Sequence, residues 1–183
     1  MTSGPDPELA TALPEVAREV EEFVAGADWD QPPQLFALVP TAHLLAAEPG
    51  VSGRVDASAP LTPVAQEPLP DGELDVALAG IMWPSAVAGC AAAVHVLVLP
   101  PGAEAELDAQ LASPNSPDSE LLRRLAAEHP HRREARLVAA VLRDGAGACV
   151  LRLRGDEDLP DEIIEHPDLA PNLLDALRAT FEP

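Results

Sequence analysis

Lysine and tyrosine are absent from this chain, only two cysteines occur (Cys90 and Cys149), and aromatic residues make up 3%. Each shortage narrows the chemistry. Without lysine there is no Schiff-base nucleophile and no anchor for pyridoxal chemistry. Eleven basic residues, all arginine, stand against 31 acids and leave a net charge of −20. Phosphate binding needs clustered positive charge, so nucleic acid is an unsuitable partner, and an anionic membrane face is disfavoured for the same reason. Long apolar runs are missing too. The longest, "AVAGCAAAVHVLVL" from Ala86 to Leu99, falls short of the roughly 18 residues of a membrane helix and contains glycine and histidine. The opening "MTSGPDPELA" has neither the basic region nor the apolar stretch of a signal peptide. These features predict a cytoplasmic protein without membrane insertion, its cysteines buried as free thiols.

What is present is a chain that is 47% apolar, with a core to be built from Leu, Val and Ala. Its 183 residues suit a single α+β domain spanning 1–183, interrupted by a proline-rich loop at 51–70 and a mobile linker at 113–119. Leu9, Leu13, Val16, Val20 and Phe23/Val24 recur at helical spacing, with Glu15, Glu19, Glu21 and Glu22 on the other face. Pro14 predicts a kink or a second start in that helix. "QLFALVP" (Gln34 to Pro40) reads as a buried strand, and Thr41 opens a short helix. "SGRVD" is a candidate short strand inside the proline-rich loop, and Asp71 caps a helix from Glu73 to Gly80. "VHVLVLPP" makes Ala86–Leu99 a strand. "AEAELDAQLA" and "ELLRRLAAEH" read as helices, "GDEDLPDEIIEHPD" as an acidic loop, and Asp168 to Phe181 as a closing helix.

The charge is unevenly spread. Between Arg123 and Arg154 eight arginines face three acids, a net of +5. Within this stretch Arg136–Arg143 and Ala148–Arg154 read as two strands joined by "DGAG". Pairing Arg143 with Ala148 puts Val138, Ala140, Leu142, Cys149, Leu151 and Leu153 on one face as core. The other face then carries Leu137, Val141, Arg143, Val150, Arg152 and Arg154, a mixed basic surface. Such a face either meets the chain's own acidic helices or docks an acidic or extended partner, a second copy included.

Motifs for catalysis are weak. Cys90 and His95, five apart in one strand, point to opposite faces and cannot form a nucleophile–base pair. His129 and His131 lack the further convergent ligands of a metal site, and His43 and His166 read as surface or capping residues. "DEDLPDEIIE" lacks the alternating ligands and glycine of a calcium loop, "DGAG" is no phosphate loop, and no G-x-S-x-G occurs. Trp29 and Trp83 read as packing anchors. No metal, cofactor or catalytic residue is predicted.

The segments "DWDQPPQLFALVPTAHLLAAEP", "IMWPSAVAGC", "HPHRREARLVAAVLRDGAGACVLRLR" and "HPDLAPNLLDALRATFEP" together resemble an uncharacterised family of small acidic actinobacterial proteins, and the resemblance implies no activity. The order of helices and strands is also similar to the type III secretion chaperone-like fold. Members of that fold are small, acidic and usually dimeric, and hold extended client segments without chemistry. The helix at Thr41 and the loop before Asp71 depart from its run of consecutive strands. The expectation is an α+β fold, an antiparallel sheet with N- and C-terminal helices packed on it. The expected function is a non-enzymatic acidic binding or adaptor protein, chaperone-like, acting through the face of Leu137, Val141, Arg143, Val150, Arg152 and Arg154 on a protein partner or on itself as a homodimer. The alternative is a small-ligand sensor or enzyme built from dispersed carboxylates and histidines such as His95 and His131.

Overall fold

The computed structural model describes residues 7–26, 29, 32–66, 74–98, 133–155, 157–158, 160–167 and 169–182. In chain order the elements are α1 (Pro7–Ala25), β1 (Gln34–Pro40), α2 (Thr41–Ala47), a 3-10 turn (Pro49–Val51), β2 (Leu61–Ala65), α3 (Leu74–Ala79), β3 (Gly89–Val98), β4 (Arg133–Leu142), β5 (Gly147–Leu153), β6 (Glu162–Glu165) and α4 (Pro171–Ala179). The six strands form one antiparallel sheet in the order β2-β1-β3-β4-β5-β6. The expected α+β class, with terminal helices on an antiparallel sheet, is therefore the observed one. The predicted linker 113–119 and the helices read on either side of it lie outside the described residues.

Helices cover both sides of the sheet. On one face α1 presses Leu13, Val16, Ala17, Val20 and Val24 against Phe36, Leu38, Ala91, Ala93, Val138, Ala140, Ala148 and Val150. On the other, Leu174 and Leu177 of α4 and Leu78 of α3 pack on Leu35, Cys90, Ala92, Ala139, Val141 and Cys149. A strand buried on both sides has no polar face to show. This is why "CAAA" of β3 is continuously apolar, alternate residues entering different cores. Alanine there lets two helix layers approach a central strand.

Local expectations meet this architecture unevenly. The helix does not restart at Pro14: α1 runs unbroken for 19 residues with the proline inside it. An interior proline costs about 3 kcal/mol, and the burial of five aliphatic side chains on the sheet exceeds that. "SGRVD" lies in turns, whereas Leu61–Ala65 of the supposed loop is strand β2. Pro63 is compatible because β2 is an edge. Gln66 donates its backbone N–H to Leu35 O (2.9 Å), so alternation turns position 63 outward, where no donor is needed. Glu162–Glu165, expected within an acidic loop, is strand β6.

The hairpin exists, but its register differs from the expected one. Leu142 N–H donates to Ala146 O (2.9 Å) and Gly145 N–H to Leu142 O (3.0 Å). Gly145 adopts a left-handed φ of 99°, closing a three-residue loop of Arg143, Asp144 and Gly145. Ala140 thus pairs with Ala148, in place of Arg143. A shift by three positions is odd, and an odd shift exchanges the faces of one strand relative to the other.

Candidate functional site

The six residues expected to share a face are divided by this register. Leu137 and Val141 lie on the α3/α4 side, Val141 fully buried. Val150 and Arg152 lie on the α1 side, with Val150 in that core. Arg143 leaves the end of β4 and turns back on its own chain. Its Nε donates to Val87 O (2.6 Å), one Nη to Pro84 O (2.8 Å), and its guanidinium carbon sits 4.7 Å from the centre of the Phe181 ring. It holds the segment before β3 against the end of α4.

Arg152 and Arg154 join a polar cluster at the C-terminal end of α1. Glu21, expected on the outer face of α1, is only 2% exposed. It accepts hydrogen bonds on both carboxylate oxygens from Arg152, from Nε and from an Nη at 2.9 Å. The neighbouring Arg136 approaches Glu21 to 3.8 Å, and Asp161 meets Arg152 at 3.5 Å. Trp29 lies beneath two cations, with the Arg136 guanidinium 4.7 Å and that of Arg154 5.7 Å from its ring centre. Arg154 also pairs with Glu134. Hydrogen bonding to Glu21 raises the Arg152 pKa above its ordinary value, whereas burial lowers that of Arg136. The arginines therefore gather in β4 and β5 to meet one buried carboxylate, two acids of the sheet end and a tryptophan. One signal for Glu21 was available in the sequence: it stands four residues after Ala17 and three before Val24, within the apolar stripe.

His95 lies across from Arg136 in the β3–β4 ladder, while Cys90 belongs to the opposite core, so the two cannot cooperate. The His95 Nε2 stands 3.5 Å from a Glu134 oxygen and makes no hydrogen bond among the described residues. The cavity it lines with Trp29, Gln34 and Arg136 measures about 20 Å³, room for a single water. His129 and His131 lie outside the described residues, and His43 and His166 are exposed. Both cysteines are free and buried, and burial pushes the Cys90 thiol up to about 12. Trp83 stacks on Phe181 with centroids 6.1 Å apart and donates its indole N–H to Thr180 Oγ1 (2.9 Å), an anchoring role as expected.

Two surfaces remain. A cavity of about 350 Å³ between α1 and the chain before β2 is lined by Glu15, Arg18, Glu19, Glu22 and Asp56 above Val16 and Leu61. Burial first, then the charges of Asp56, Glu15 and Glu22, raise the Glu19 pKa. No group of three or more His, Cys, Asp or Glu among the described residues is arranged to hold a metal ion. The second surface is β6, the last strand of the sheet, exposed along its whole length. Its Ile163 is 50% and its Ile164 36% exposed. His166 donates its N–H to Cys149 O (3.3 Å), so by ladder alternation Ile163 and Glu165 turn their N–H and C=O groups outward.

No helix among the described residues is long and apolar enough to cross a membrane. No curated protein and no solved structure matches the chain. A family model described as "PPA1309-like protein" matches residues 13–182, nearly the full length with β6 and the Glu21 cluster included, and the chain belongs to the PPA1309-like protein family.

Proposed function

We propose that this protein is a non-enzymatic acidic adaptor that holds an extended segment of a partner protein along the outer edge of β6. The observation carrying this reading is the edge itself, four exposed residues with two isoleucines at the end of an otherwise covered sheet. Such an edge offers unpaired backbone donors and acceptors for affinity, and alternating side chains for specificity. Both sheet faces carry the chain's own helices, so binding moves from the expected sheet face to the sheet edge. The mode of action stays that of a cytoplasmic, chaperone-like protein, which grips an extended client without chemistry. For the sensor alternative, the cavity beside His95 has room for one water, and the carboxylate-lined cavity of about 350 Å³ at Glu19 is the concavity it would use.

Backbone amide resonances of the full chain, followed during titration with a set of eight-residue extended peptides of varied charge, test the reading. At least one peptide shifts the Ile163 and Glu165 amides; shifts confined to other parts of the molecule, or none with any peptide, refute it.

A further inference from the structure

Resting on that reading, the cross-strand rows that end at β6 also specify what the partner carries. We infer that β6 selects an extended segment by one apolar residue set opposite Ile164, and that the segment comes from a different protein. On the α3/α4 side of the sheet the ladders align Val94 with Leu137, Leu137 with Leu151 and Leu151 with Ile164. Each strand from β3 to β6 thus contributes one apolar side chain to a single row. Burial falls along it: Val94 is 9% exposed, Leu137 and Leu151 are half-buried, and Ile164 is 36% exposed. The row stops at Ile164 because the sheet stops there. Cross-strand apolar neighbours stabilise a sheet pair by pair, so an added strand with an apolar side chain at this point extends the row and covers Ile164.

Backbone geometry singles out the same position. Ile164 turns its own N–H and C=O toward β5, whereas Ile163 and Glu165 turn theirs outward. An antiparallel segment therefore exchanges hydrogen bonds with Ile163 and Glu165. The residue between its two bonded positions faces Ile164 as a non-hydrogen-bonded pair, the spacing at which opposing side chains come closest. Ile163 is no equivalent anchor. Its row runs through Arg152, Arg136 and His95 on the other side of the sheet, and it meets an added strand at the wider, hydrogen-bonded spacing.

Charge does not make the choice. Glu165 is paired with Arg18 and Asp161 with Arg152, and Glu162 and Asp158 have partners of their own. Among the described residues, what β6 leaves open is backbone at Ile163 and Glu165 and apolar surface at Ile164. A second copy carries an Ile164 of its own, but it brings a further net charge of −20 to the same edge, and like net charge opposes association. The other sheet edge offers no equivalent, since β2 carries Pro63 at an outward backbone position.

The test uses two end-capped heptapeptides, Ser-Thr-Gln-Ile-Gln-Thr-Ser and its variant with serine at the centre, titrated into the full-length protein with amide shifts as readout. The isoleucine peptide shifts the Ile163 and Glu165 amides, binds about fivefold more tightly than the serine peptide, and shows NOEs from its isoleucine methyls to those of Ile164. The ratio holds between low salt and about 0.5 M, where electrostatic range is severalfold shorter. Ile164→Ser abolishes the ratio while the amide shifts remain, and Ile163→Ser leaves it in place. If either variant does not fold, the peptide pair and the NOEs decide on the parent protein. Equal affinities with shifts at Ile163 and Glu165 keep strand addition but overturn the anchor, as do NOEs to Ile163 in place of Ile164 or a ratio that vanishes in salt. No shift at β6 from the isoleucine peptide also overturns the anchor, and none there from any peptide of the wider set overturns the binding reading as well. A dimer detected by light scattering that Ile164→Ser dissolves overturns the inference in favour of self-pairing.

Discussion

Replacing Glu21 by alanine tests whether the arginine cluster is held together from inside. The carboxylate is 2% exposed and answers Arg152, whose side chain is 20% exposed, and Arg136, whose side chain is 6% exposed. Removing one member of a buried ion pair costs about 3–5 kcal/mol, because the partner is left as an uncompensated charge. Arg152 retains Asp161 at 3.5 Å and some solvent, which places its share at the low end. Arg136 keeps its stacking on Trp29 but loses Glu21, 3.8 Å from its guanidinium. The expected loss is about 3–4 kcal/mol, a large part of the roughly 5–15 kcal/mol that holds an ordinary domain together. Urea unfolding followed by circular dichroism measures it. At 2–4 °C per kcal/mol for a chain of this size, the melting temperature falls by about 6–16 °C. Adding Arg152→Met to Glu21→Ala removes one of the stranded charges, so the double variant is less destabilised than the sum of the singles by at least about 1 kcal/mol. A Glu21→Ala loss below about 1 kcal/mol, or single effects that simply add, refutes the buried-network reasoning.

Glu19 gives a pH signature of known sign. Its folded pKa is raised above the ordinary 4.5, so the folded state binds this proton more tightly than the unfolded state. The stabilisation from protonating it is complete below about pH 4.5 and is lost as pH rises through the raised folded value. Glu19→Gln is therefore more stable than the parent at pH 7, with the gap closing below about pH 4.5; parallel stability profiles count against the carboxylate crowding. At Gly89 an added Cβ collides with Val141 O and lies 2.9 Å from Leu142 Cδ2. Because the first obstacle is ladder backbone, Gly89→Ala loses about 3 kcal/mol in urea unfolding, and a neutral result would mean β3 and β4 are not this close. Cys90, with its thiol at about 12 and buried, does not react with a thiol-specific reagent at pH 8 until the protein unfolds; rapid native labelling refutes that.

Much of the scaffold was readable because periodicity survives folding. The stripe Leu13, Val16, Val20 and Val24 named the buried face of α1, and "QLFALVP" was a strand in fact. The misses share a physical origin in tertiary context. Pro63 hid β2, since a proline tolerated only at an outward edge position looks the same in sequence as a loop proline. The hairpin was legible and its faces were not: "DGAG" fits a loop of four or of three residues, and the choice rests on Gly145 taking the left-handed conformation. With two covering helix layers, the alternation that would have betrayed the error was absent, because Val138, Ala139, Ala140 and Val141 are all buried. Glu21 was missed because an acid on a helix normally faces water, and only two arginines brought in from residues 136 and 152 reverse that preference.

The same covering leaves the edges as the open parts of the sheet. A sheet with one open face can bind through side chains presented on a surface, but here each face is closed by helices of the same chain. What a partner can still reach is the backbone of the outermost strands. The two ends are not equivalent: β2 has proline at an outward position, a common guard against edge pairing, whereas β6 relies on its glutamates. Charge is a selective guard. It disfavours acidic chains without removing the outward backbone donors that a proline removes. With its outward donors intact, β6 is by backbone chemistry the edge better suited to strand addition, and β2 with Pro63 the worse.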